Sequence, residues 1–298
     1  MKTEPSETVT YYTKLPDGGS LHQGITELHD AALYRPEGRA RSIATLDDLT
    51  PGDVAFYREQ GYLAVEQAFT PDEVRAALAG MEGLIMGRRP DYKGIIFEKK
   101  AQEILPTLTL DQRQDAVRGI CHFVEFDAAL HALAYHPKIL GLMRVLLEGE
   151  PHMFQNMGLI KPPRIGREKP WHQDHAYFDY PLGTPIVGAW VALDEATLEN
   201  GCMQVLPGLH REGPRLHFRR RDWQICDREI MGRRSVAVPL KPGGLLLFDG
   251  LLPHGTPHNS SAQRRRAVQF HYAPKNVPSI TQEERLKVFG SEGKGVTC

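Results

Sequence analysis

A chain of 298 residues, 41% of them hydrophobic, is long enough to bury a substantial core. Its 36 basic and 37 acidic side chains leave a formal net charge of -1, which offers no electrostatic reason to expect nucleic acid or an anionic membrane surface as partner. The opening stretch MKTEPSETVTYYTK lacks an apolar leader core, no run approaches the ~18 apolar residues of a membrane span, and four scattered cysteines (Cys121, Cys202, Cys226, Cys298) read as reduced thiols of a cytoplasmic protein.

Residues 1–46 are polar and read as an irregular arm on the surface. LTPGDVAFYREQGY then predicts a short helix, capped by Thr50, with Pro51 in its first position and Gly61 at its end. YLAVEQAF (62–69) predicts a strand. TPDEVRAALAGMEGLIMG predicts a second helix, with Thr70 and Glu73 at capping-box spacing. Two further helical stretches are expected within 110–149. From about 153 the pattern changes to short strands punctuated by proline and glycine: MFQNMGLIK, IVGAWVALD, CMQVLP, SVAVPL, GGLLLFDG and RRAVQFHY. Helices followed by many short strands imply a mainly β sandwich or barrel with flanking helices. The expected division is an arm over 1–46, one domain over 47–275 (helical to 150, β core from about 151) and a tail over 276–298.

The stretch WHQDHAYFDYP (171–181) sets two histidines and an aspartate among aromatic residues. On an extended strand His172 and Asp174 point to one face, because the side-chain period is two. One imidazole and one carboxylate leave a metal site incomplete. His254, which follows the apolar strand GGLLLFDG, is the candidate third ligand. Two histidines and a carboxylate on one side of an ion form the triad associated with non-haem Fe(II). A His-x-Asp pair alone is a weak signal that ordinary loops also contain, and the other histidines read as surface or core residues.

Alternation also sorts the arginines of RRRAVQFHY. Arg264, Arg266, Val268, Phe270 and Tyr272 share one face, whereas Arg265, Ala267, Gln269 and His271 form a polar, partly small-residue face suited to a barrel interior. An arginine buried there needs a carboxylate or phosphate, which its planar fork grips bidentately. A dicarboxylic 2-oxo acid fits, with one end on the metal and the other on Arg265.

These features together resemble the phytanoyl-CoA dioxygenase family of Fe(II)/2-oxoglutarate oxygenases, over roughly residues 50–275. HQD at 172–174, Trp190 in GAWVALDEATLENGCMQVLPGLH, and HGTPHNSSAQRRRA from His254 carry the resemblance, the last with asparagine five and arginine eleven residues after the histidine. The resemblance implies a double-stranded β-helix, the jelly-roll relative of cupins. It implies His172, Asp174 and His254 as iron ligands and catalytic residues, and Arg265 with Thr256 as binders of the distal carboxylate of 2-oxoglutarate. Met157, Gln173 and Trp190 match positions lining the cosubstrate pocket, and Arg118 stands near a lysine position that contacts the cosubstrate in some relatives. Asn259 resembles a residue supporting the loop beyond His254, or is a plain turn asparagine.

The implied activity consumes O₂ and 2-oxoglutarate, releases succinate and CO₂, and hydroxylates an unactivated C–H bond of a small molecule. Halogenating relatives replace the carboxylate ligand with a small residue, so Asp174 implies hydroxylation in place of halogenation, and leaves desaturation or ring closure open as outcomes set by substrate geometry. Competing readings are a zinc hydrolase or lyase built on the same triad, which leaves Arg265 without a ligand, a non-catalytic 2-oxoglutarate or metal sensor, and an oxygenase without the cosubstrate. The arginine-rich RLHFRRRDWQICDRE (215–229) reads as a solvated loop in preference to one closing over an anionic substrate. PPRIGREKP (162–170) stands near the expected entrance, with the same two readings. His175, Tyr177 and Phe178 follow Asp174 closely enough to line the substrate side or, for the aromatics, simply to pack the core. The substrate itself is not written in the sequence, nor is the oligomeric state.

Overall fold

The computed structural model describes the backbone of residues 8–14, 20–97 and 99–290, and the side chains of 28–97, 101–117 and 119–290. The helix Pro51–Gln60 begins at Thr50, whose N–H and hydroxyl both donate to the Asp53 carboxylate at 2.9 and 2.6 Å. It stops at Gly61, whose φ of 79° is left-handed and costs glycine little. The helix Pro71–Ile85 opens with Thr70 and Glu73 capping each other reciprocally. Its Val74, Ala77, Met81 and Leu84 recur every three or four residues and form one buried face. Residues 110–149 hold three short helices where two were expected: Leu110–Asp115, Ala128–Ala134 and Pro137–Leu146. Pro137 separates the last two, since the residue before a proline is driven out of helical geometry; His136 has ψ 127°.

The strands in chain order are β1 (Thr8–Lys14), β2 (Ser20–Glu27), β3 (Gly38–Arg39), β4 (Ser42–Thr45), β5 (Tyr62–Gln67), β6 (Ile95–Phe97), β7 (Val117–Cys121), β8 (Pro151–Lys161), β9 (Lys169–His172), β10 (Val187–Ala192), β11 (Met203–Val205), β12 (His217–Arg219), β13 (Trp223–Ile225), β14 (Val236–Val238), β15 (Leu245–Asp249), β16 (His254–Thr256) and β17 (Arg265–Pro274). Eight form a large sheet in the order β4-β5-β15-β10-β17-β8-β7-β6, and five a smaller one, β3-β14-β11-β16-β9. The hairpins β1–β2 and β12–β13 are separate.

Strand alternation divides the core into two layers. Leu63, Val65, Val191, Leu247, Val268 and Phe270 leave the large sheet on its outer side and pack with Met81, Leu84, Leu130 and Leu142 of the helices. Their neighbours in sequence, Tyr62, Ala64, Trp190, Leu246, Phe248 and Ala267, point inward to Met203, Val205, Ala237 and Val238 of the smaller sheet. Each large apolar side chain so buried contributes roughly 1.5–3 kcal/mol. This is the jelly-roll sandwich with helices against one sheet, and the functional side chains sit between its layers.

Two expectations need correction. Residues 38–45 are not an irregular arm: β3 pairs in parallel with β14 and β4 with β5, so this segment edges both sheets. Edge pairing uses backbone groups, which a polar sequence conceals. Nor are all the cysteines reduced: Cys121 and Cys202 are free, but Cys226 is disulfide-bonded. Proximity in space decides such pairing, and spacing in sequence does not report it. Cys298 lies outside the described residues.

Candidate active site

β9 and β16 run antiparallel with His172 and His254 directly opposite each other. β9 ends at His172, Gln173 remains extended, and Asp174 opens a 3₁₀ turn. Because Gln173 keeps the strand period, Asp174 returns to the face of His172 although the strand has ended. The imidazole centroids lie 4.2 Å apart. Asp174 Oδ1 is 3.1 Å from His172 Nε2 and 3.5 Å from His254 Nε2. One ligand atom from each of the three residues falls within 4.8 Å of the others, all three residues being buried.

Second partners orient these groups. His172 Nδ1 is 2.7 Å from Pro170 O and His254 Nδ1 is 2.9 Å from Leu252 O. A carbonyl only accepts, so each Nδ1 carries the proton and each Nε2 presents a lone pair to the centre. Burial, followed by the neighbouring His172, pushes the His254 pKa down to about 3, which keeps its ring neutral. Asp174 Oδ2 accepts from Gln269 Nε2 at 3.0 Å and from His271 Nε2 at 2.7 Å. Burial opposes ionisation of Asp174, yet the facing histidines and these bonds hold its carboxyl well below the usual range. Two imidazoles and one carboxylate on one side of a point are a donor set for a divalent metal with positions left over.

A cavity of about 340 Å³ opens beside the three residues and is also lined by Met157, Trp190, Thr256 and Arg265. Arg265 is 2% exposed, and its Nε and Nη1 have no hydrogen-bond partner. Its guanidinium lies 5.4 Å from the Trp190 ring centroid, and burial lowers its pKa to about 10. Arg264 and Arg266 leave β17 on the other side: Arg264 pairs with Asp111 and Asp115, Arg266 with Asp194 and Glu82. A buried cation with unused donors at a cavity end suits a carboxylate, so the residues present fit a 2-oxo diacid reaching from the metal to Arg265. Trp190 shares its face with Gly188, where any Cβ would fall 2.4 Å from Phe248 Cζ. The missing side chain lets Phe248 pack against His254, ring centroids 4.6 Å apart.

Gln173 is not brought to the cavity. The alternation that aligns His172 with Asp174 sends it the other way, where Nε2 donates to Gly213 O and Leu251 O and Oε1 accepts from Arg215 N. The side chain of Arg118, on β7, lies outside the described residues. The 215–229 segment is not solvated as expected: Arg221 is bound between Glu168 and Asp227 at 2.7 Å each, its side chain 3% exposed, and Arg215 pairs with Glu212 and Glu229. These arginines brace protein against protein. Asn259 fixes its loop, donating to Lys161 O, Pro162 O and Gln263 O and accepting from Ser261. Tyr177 and Phe178 line the cavity, whereas His175 stacks on Phe289. Missed altogether were Lys161, which period two places on the face of Met157, and the bracing of Asp174 by Gln269 and His271.

The jelly-roll core and this donor set define an iron- and 2-oxoglutarate-dependent oxygenase. The family model "Phytanoyl-CoA dioxygenase (PhyH)" matches residues 57–267, and the chain belongs to that family. It is 26% identical over 291 residues to "Phytanoyl-CoA dioxygenase domain-containing protein 1" of Danio rerio, covering 80% of this chain and 97% of that one. Among solved structures it resembles EvdO2 from Micromonospora carbonacea var. aurantiaca complexed with 2-oxoglutarate, with 25% identity, TM-score 0.58 and coverage of 78% of this chain and 97% of that one. EctD from S. alaskensis with bound Fe shares the fold at 24% identity and TM-score 0.62, covering 82% of each chain.

Proposed function

We propose that His172, Asp174 and His254 hold the Fe(II), that Arg265 and Thr256 hold the distal carboxylate of 2-oxoglutarate, and that the protein hydroxylates a C–H bond of a small molecule. When bound, iron and 2-oxoglutarate supply the oxidising chemistry, with O₂ consumed, succinate and CO₂ released, and one oxygen atom delivered to substrate. The chain's own residues supply position and charge. The two Nε2 lone pairs and Asp174 Oδ1 converge, Gln269 and His271 keep Oδ2 turned away, and Trp190 and Met157 wall the cosubstrate from water. Tyr177 and Phe178 supply aromatic surface on the substrate side.

The observation that carries this reading is the buried, partly unpartnered guanidinium of Arg265 in the cavity of the three metal-type donors. A zinc hydrolase has no use for it. No helix among the described residues is long and apolar enough to cross a membrane. A cytoplasmic location belongs to the proposal too, supported by the free Cys121 and Cys202 and opposed by the bonded Cys226. The test is a small-molecule screen scored by substrate-stimulated succinate formation, with His254→Ala as control. A hit yields a product one oxygen heavier, whether or not chloride is present. Succinate release and full iron occupancy in His254→Ala protein rule out the ligand assignment, and a chlorinated product rules out hydroxylation.

A further inference from the structure

Lys161 ends β8 directly across from Arg265, which begins β17. Both side chains line the cavity, and the two residues are 5% and 2% exposed. The Lys161 ammonium is caged by main-chain oxygens, with Arg167 O and Pro257 O at 2.5 Å and Thr256 O at 3.5 Å. The surrounding chain makes room for it. A Cβ at Gly166 would stand 2.7 Å from Lys161 Cβ, and one at Gly201, where φ is +84°, 3.1 Å from Lys161 Cδ. Among the described residues neither Lys161 nor Arg265 has a carboxylate within ion-pairing distance; of the acids near enough to act on them, Glu168 is held by Arg221 and Tyr34, and Asp194 by Arg266. Carbonyl dipoles stabilise an ammonium without cancelling its charge. Two adjoining uncancelled cations repel in a poorly hydrated pocket, and an anion placed there relieves both. Burial and then Arg265 drive the Lys161 pKa well below its ordinary value, in keeping with that repulsion.

We infer that Lys161 is a positioning residue for the cosubstrate: it clamps the backbone of residues 256–257 beside Arg265 and adds a second positive charge that selects a 2-oxo acid with a distal carboxylate. The inference rests on the reading that Arg265 binds that carboxylate. Lys161 spends its donors on carbonyls, so it acts through its charge and through the placement of Thr256 and not by touching the reacting atoms.

The test compares 2-oxoglutarate with 2-oxopentanoate, which ends in methyl where the former ends in carboxylate. Both are titrated calorimetrically, without oxygen, into metal-loaded wild-type, Lys161→Gln and Lys161→Met proteins. Lys161→Gln keeps N–H donors for the carbonyl cage and removes the charge, so it carries the test if Lys161→Met does not fold. The expected result is a loss on the order of tenfold or more for 2-oxoglutarate with 2-oxopentanoate altered less than about threefold. Equal losses for both acids, or no loss for either, overturn the inference. A wild-type protein that shows no preference for the diacid, and whose affinity Arg265→Ala leaves unchanged, overturns instead the reading of Arg265, and the role of Lys161 with it.

Discussion

Asp174 Oδ2 lies 2.7 Å from His271 Nε2, while Oδ1 of the same carboxylate faces His172 and His254. The two oxygens thus have separate tasks, one anchored to β17 and the other turned to the imidazoles. Replacing His271 by leucine leaves Oδ2 with Gln269 alone and lets the carboxylate rotate. Metal affinity is expected to fall by about 10–100-fold, as when outer partners of ligands are removed elsewhere. Competition against a chromophoric chelator measures this, and wild-type affinity in His271→Leu protein refutes the anchoring role.

Arg265→Ala leaves the distal carboxylate of 2-oxoglutarate unpaired, at a cost of roughly 2–5 kcal/mol, and weakens binding by at least ~30-fold. Arg264→Ala and Arg266→Ala remove ion pairs on the opposite face, so they lower the midpoint of urea unfolding and leave cosubstrate affinity near wild type. A larger binding loss in either neighbour contradicts the orientation of β17.

Arg221 joins Glu168, just before β9, to Asp227, beyond the β12–β13 hairpin, with 3% of its side chain exposed. Arg221→Met takes the guanidinium from two carboxylates, leaving Glu168 with Tyr34 and Asp227 with Gln224 and Arg220, and destabilises the fold by about 3 kcal/mol. Arg219→Ala, at an exposed position two residues earlier, changes stability by less than about 0.5 kcal/mol. Urea unfolding distinguishes the two, and similar small effects exclude a buried brace.

His217 is held neutral: Nε2 accepts from Gln173 N at 3.0 Å, and burial, partly opposed by the Arg215 carbonyl, drives its pKa down to about 3. In the unfolded chain it titrates near ~6.5, so between those values the unfolded state binds the extra proton and stability falls as pH falls. By pH 5 this one group removes about 2 kcal/mol relative to pH 8. Unfolding curves of metal-free His217→Gln protein are expected to lose that part of the slope while starting from lower stability at pH 8. An unchanged slope shows that His217 is protonated in the native state.

Much of this architecture was legible because local rules and tertiary structure agree. Thr70 with Glu73 and Thr50 with Pro51 announce helix starts, and the alternation from Arg265 to Tyr272 sorts inside from outside. The same alternation contradicts the placing of Gln173 in the pocket, and it put Lys161 within reach of inference from Met157. The internal pairing of Arg221 was not legible, since a run of arginines looks the same whether its acids are solvent-separated or folded against it. Glu168 lies 53 residues away from Arg221 in the chain. Likewise, β3 gains its place from β14, far along the chain, and β4 from a parallel pairing with β5, and nothing in their own composition marks them as strands.

The Nδ1 protons of His172 and His254 are committed to carbonyls two residues back on their own segments, Pro170 O and Leu252 O. Folding alone, with no ion, therefore decides which side of each ring faces the centre. A socket finished in advance favours whichever divalent ion arrives, and zinc outcompetes ferrous iron for nitrogen and oxygen donors. Protein produced in zinc-rich medium is then well folded and idle, and its recovery on adding iron runs at the pace at which zinc departs. The metal found in purified protein is expected to follow the supply in the producing cell, which metal analysis of protein from iron- and zinc-supplemented cultures checks.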